Sequence, residues 1–138
     1  MDPDNPIVRL CVAGMKAESD GRNADALALF SQAWEQSNDD FEASIAAHYV
    51  ARHQKEAEEI LRWNQIALAR AEAVGDERVL DFYPSLYLNL GKARENLGHT
   101  DEARKFYELA SCKMGDLPQG RYGDIVRDGV QRALQRVS

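Results

Sequence analysis

The amino-acid sequence predicts an all-α fold, and three observations carry the prediction. Apolar residues recur at steps of three and four along most of the 138 residues, and no stretch shows the period-two alternation of a strand. Helix-breaking clusters interrupt this pattern at helix-length intervals. A five-residue skeleton of small and aromatic residues is written twice. Gly14 is followed by Gly21, Ala26, Phe30 and Ala33, and Gly91 by Gly98, Ala103, Tyr107 and Ala110, both at offsets +7, +12, +16 and +19.

The elements follow from the breaks. Asn5–Pro6 reads as an N-cap with proline at the first helical position, where its missing N–H costs nothing. The break "SDGRN" ends a helix over 6–19, and Asn23 is positioned to cap the next, over 23–36. "SNDD" precedes a helix over 40–53, and "RHQKE" is a weaker break before one over 55–73. "VGD" opens a longer segment over 77–97, in which Pro84 must kink the helix or mark its true start. Gly98 then ends it, and Thr100 is the expected N-cap of a helix over 100–113 with acids in its first turn. After "MGDLPQG" a terminal helix spans 122–136. Val126, Val130, Leu134 and Val137 form one stripe of it, so it docks on something.

The skeleton has a packing logic. The first glycine lets a second helix approach, and the glycine at +7 ends the first helix. Small residues at +12 and +19 sit at close contacts, and the aromatic at +16 fills the space beside them. These residues and spacings resemble the tetratricopeptide repeat (TPR), a helix–turn–helix unit of about 34 residues. The copy at Tyr87, Leu90 and Gly91 is the fullest. The copy at Leu10, Ala13 and Gly14 is next, and the middle one is degenerate. There the matching places hold His48, Lys55, Ile60, Asn64 and Ala67, with Trp63 as a source of bulk. The extra residues between His48 and Gly91 are absorbed by longer helices. The resemblance implies a right-handed α-solenoid of three TPR-like helix hairpins, about 6–36, 40–73 and 77–113. A C-terminal capping helix would complete about seven helices in one domain over 1–138.

Composition narrows the function. Net charge is −6, and it is carried by residues 1–46, which hold nine acids and three bases; the rest hold fourteen of each. An acidic chain without a basic stripe is not built to bind nucleic acid. No apolar run is long enough to cross a membrane, and the polar start "MDPDNPIVRL" lacks the features of a secretory signal, so a cytoplasmic location is expected. Cys11 and Cys112 are expected to be reduced and buried.

No nucleotide-binding glycine loop, C-x-x-C or H-E-x-x-H motif is present, so no cofactor, metal or catalytic residue is expected. His48 and His53 lie about 140° apart around a helix, unsuited to sharing a metal. His48 is expected to pack at a repeat position and His53 to sit solvated at a helix end. Phe82 and Tyr83 are expected in the core.

The resemblance implies that the first helix of each hairpin lines a concave groove for a peptide or helix of another protein. By position, the lining includes Cys11, Val12, Met15, Ile45, Tyr49, Arg52, His53, Leu88, Asn89 and Lys92. Of these, Cys11, Val12, Met15, Ile45, Tyr49 and Leu88 would form an apolar floor. The places at which chaperone-tail-binding members clamp a terminal carboxylate hold Cys11, Met15, Ala46, Ser85 and Asn89. None is basic, so that ligand is not expected. The alternative is a homo-oligomer in which the acidic first half meets the Arg-bearing last helix of another copy; a sensor or enzyme with a site in the groove is the third reading.

Overall fold

The computed structural model describes residues 2–138, and among them every regular element is helical. The chain divides into two compact units, one ending at Val74 and the other starting at Gly75.

The first unit holds α1 (Pro6–Ser19), α2 (Asn23–Gln36), α3 (Asp40–Ala51) and α4 (Ala57–Val74). Each packs on the next, and α1 also touches α3. The helix α3 is the centre of this unit. Six consecutive residues from Glu42 to Ala47 are buried, as are Val50 and Ala51, so it is covered on nearly all sides. Four alanines among these buried residues, Ala43, Ala46, Ala47 and Ala51, keep the neighbouring helices close.

The starts of α1 and α3 are tied together. Asn5 accepts from the N–H groups of Ile7 (2.8 Å) and Val8 (3.2 Å), and Asp39 accepts from that of Glu42 (2.8 Å), giving both helices side-chain caps. The Glu42 carboxylate, buried, then accepts from the Asn38 backbone N–H at 2.9 Å and from the Asn5 amide at 2.7 Å. A single acid thus serves two caps, which is how a buried carboxylate is tolerated.

The second unit opens with a 3₁₀ segment (Glu77–Phe82), followed by α5 (Tyr83–Asn96), α6 (Thr100–Cys112), a short 3₁₀ turn (Met114–Asp116) and α7 (Arg121–Val137). The α7 helix lies on both α5 and α6. Val126, Val130, Ala133 and Val137 enter a core with Leu88, Tyr107, Ala110 and Leu117. Leu134, expected in that stripe, packs only at its margin. Gly129 leaves room for Leu88, whose Cδ2 lies 3.0 Å from where a Cβ would stand. Arg104 of α6 donates from Nε (2.9 Å) and Nη2 (2.5 Å) to the Val137 carbonyl, closing the last turn of α7.

The two skeletons are built alike. A Cβ on Gly14 would run into the Phe30 ring, and one on Gly91 into the Tyr107 ring. The aromatic at +16 therefore fills the place vacated by the first glycine's missing side chain. Each glycine at +7 has positive φ, 79° at Gly21 and 82° at Gly98, and starts the same pair of bonds. Gly21 N–H reaches Glu18 O and Arg22 N–H reaches Ala17 O; Gly98 N–H reaches Glu95 O and His99 N–H reaches Arg94 O. This is a Schellman closure, with glycine at the left-handed residue. The middle hairpin has neither device. Arg52, His53 and Gln54 N–H groups bond three residues back, and the Gln54 amide donates to Val50 O at 3.2 Å.

Several local expectations are corrected. Asn23 and Thr100 are the first helical residues, not the caps; Arg22 and His99 precede them and supply no side-chain cap bond. The segment expected as one helix over 77–97 is a 3₁₀ turn and then α5, because Pro84 sits in the first turn and fixes the start there. Phe82 and Tyr83 are only partly buried, and Cys112 is exposed while Cys11 is buried.

Candidate functional site

Seven of the ten groove residues lie in the first unit and three in the second. In the first unit the organising residue is Glu18, in the last turn of α1. One carboxylate oxygen lies 2.7 Å from His53 Nε2, and the other accepts from Arg52 Nη2 at 3.0 Å. His53 is therefore not solvated as expected but largely enclosed, with its ring 5.6 Å from that of Phe30. The same Phe30 stacks on Tyr49 (5.0 Å, 16°), and the Arg52 guanidinium stands 5.2 Å over the Tyr49 ring. A cation over an aromatic face is an attractive arrangement. Tyr49 and Arg52 are thus held in place by the core below and by an acid from the neighbouring helix.

The remaining residues separate by exposure. Cys11 and Ile45 are sealed in the packing, Met15 is partly buried, and Val12 is 54% exposed. Burial pushes the Cys11 thiol up to about 12, so at neutral pH it carries a proton and is no nucleophile. His48 is partly buried, and burial, with Arg52 adding like charge, lowers its pKa to about 4. It stays neutral and packs edge-on to Tyr49 at 5.0 Å.

In the second unit Leu88 is buried in the core that α7 completes, Asn89 is partly buried, and Lys92 is exposed. Ser85 and the Tyr122 hydroxyl of α7 are 2.5 Å apart. Glu95, four residues after Gly91 as Glu18 is four after Gly14, accepts from the Tyr107 hydroxyl at 2.6 Å and from Arg136 Nε of α7 at 3.1 Å on its other oxygen. The bond from Arg136 first, and that from Tyr107 second, hold the Glu95 carboxyl below the usual carboxylate range. Arg127 and Arg132 of α7 likewise pair with Asp124 and Asp128 of their own helix.

The Glu18–His53 contact has the carboxylate–imidazole geometry that a nucleophile triad also uses. Among the described residues no hydroxyl or thiol bonds to the ring, and no group of three or more His, Cys, Asp or Glu could hold a metal. No helix among them is long and apolar enough to cross a membrane. The chain matches no protein-family model, no curated protein and no solved structure.

Proposed function

We propose that the chain is a non-enzymatic helical-repeat module of the TPR type, which binds a peptide or helix of another protein in the concave groove lined by α1 and α3. The observation that carries this reading is the Phe30–Tyr49–Arg52 stack with Glu18 fixing Arg52. Tyrosine and arginine are the residue types that anchor protein interfaces. Here both are ordered before any ligand arrives, which lowers the entropy lost on binding. Val12 adds exposed apolar surface on α1. The twin glycine–aromatic hairpins support the repeat reading.

The test is selection of peptides from a random library on the purified chain. Selected peptides would then be titrated against wild type, Arg52→Ala and Val12→Asp. Both substitutions alter exposed side chains and should leave the melting curve in place. Binding at least about fivefold weaker in each is expected, since an interface anchor is worth more than about 1 kcal/mol. Selected peptides that ignore both substitutions, or no selected peptide at all, would overturn the proposal.

A further inference from the structure

A cleft of about 350 Å³ opens in the first unit where α2 gives way to α3. It is separate from the Tyr49–Arg52 stack, and its reading does not depend on the groove. Trp34, in the last turn of α2, is one wall. Asn38, Asp39 and Asp40 line the turn into α3, and Arg70 reaches in from α4. Such a volume suits one side chain or a small ligand.

Its chemistry favours a cation. Trp34 is braced edge-to-face by Trp63 (5.1 Å, 88°), so the indole is a fixed surface. Arg70 already shows what that surface takes. Its guanidinium lies 5.7 Å from the Trp34 ring centre and donates from Nη1 to Asp40 Oδ1 at 2.9 Å. Aromatic face and carboxylate together are the ordinary receptor for a guanidinium. An anion is disfavoured, although a helix starts here, because Asp39 already accepts the Glu42 N–H that an anion would seek. Asp39 makes no ion pair among the described residues, so one carboxylate remains for a second cation. The surrounding sequence, with nine acids to three bases over residues 1–46, would draw a basic segment toward it.

We propose that this cleft receives an arginine side chain of a partner protein, and that Arg70 is a built-in competitor which the incoming guanidinium displaces. Arg70 suits that role. Its side chain is 47% exposed, and a half-exposed ion pair is weak enough to exchange.

The experiment follows the Trp34 indole N–H resonance in the full chain during titration with N-acetyl-arginine amide, using N-acetyl-citrulline amide as the uncharged analogue. A saturable shift with the arginine compound alone is expected. Arg70→Gln should tighten binding, by roughly three- to thirtyfold if it frees one cation–π site. Asp39→Asn, in the wild-type background, should weaken it several-fold. If Arg70→Gln does not fold, the Asp39→Asn comparison decides alone. Equal binding of the citrulline compound, no saturable shift, no weakening by Asp39→Asn, or unchanged affinity in folded Arg70→Gln would each overturn the proposal.

Discussion

Gly14 and Phe30 stand sixteen residues apart, and the phenyl ring occupies the space where a Gly14 side chain would begin. Gly91 and Tyr107 repeat the arrangement in the other unit. Both rings are fully buried, so neither can swing into solvent to admit a methyl group. Gly14→Ala and Gly91→Ala should therefore each destabilise their unit by about 1–3 kcal/mol through overpacking, despite alanine's better helix propensity. Combining Gly14→Ala with Phe30→Leu should cost less than the two losses added, because the smaller side chain vacates the contested space. Urea melts of the four proteins check this; additive losses would show that the two positions do not meet.

That contact also shows how much of the fold was legible. The glycine–aromatic spacing is local in sequence and doubled, so the closes of α1 and α5 could be read from it, while Asn5–Pro6 and the breaks "SDGRN" and "SNDD" bounded α1 and α2. The C-terminal stripe gave α7. The degenerate middle hairpin offered no glycine, and α3 and α4 were placed less closely because 3₁₀ bonds and Gln54 close α3 instead. The candidate site was legible only in outline. Tyr49, Arg52 and His53 share one helix end, which spacing can show. That Glu18 binds both Arg52 and His53 depends on a contact between helices more than thirty residues apart, which spacing cannot show. The Trp34 cleft was missed for the same reason, since Asp40 and Arg70 meet only once α3 and α4 have packed.

Glu42 joins the caps of α1 and α3, so its removal should cost more than one surface hydrogen bond. Glu42→Ala leaves the Asn5 amide and the Asn38 N–H without their acceptor. A loss of about 2–3 kcal/mol is expected, the range for bonds to a charged group. In the Asn5→Ala background the same substitution should cost less, because one of the two bonds is already gone. Chemical denaturation of the single and double variants measures it; a loss under half a kcal/mol would show that the buried acid is dispensable.

Asn64 takes the +16 place of the middle hairpin, where the others have an aromatic. It is buried, its amide donates to Ile60 O of its own helix at 2.9 Å, and its Oδ1 has no partner. A buried acceptor left unbonded is a standing cost. Asn64→Leu removes that group at similar size and should stabilise the first unit by about 1 kcal/mol. Hydrogen exchange of α4 amides would report it as slower opening. Faster exchange in the variant would mean the oxygen is satisfied and the position is polar for a packing reason.

His48, in the glycine place of that same hairpin, gives the chain a pH dependence with a definite sign. Its folded pKa is lowered to about 4, mainly by burial and then by Arg52, whereas an unfolded histidine titrates near about 6.5. Between those values the unfolded chain holds more protons, so stability must fall as pH falls. Above about pH 6.5 the ring is neutral in both states and has no effect. Below about pH 4 it is charged in both states and the penalty is fully developed; the whole step is on the order of 3 kcal/mol. The cleanest window is about pH 6.5 to 5, before most carboxylates titrate, and there wild type should lose about 1–2 kcal/mol relative to His48→Gln. His53 and Glu18 are present in both proteins, so the difference isolates His48. Denaturation midpoints that move in parallel for wild type and His48→Gln would show that the ring is open enough to protonate in place, and that burial does not set its charge.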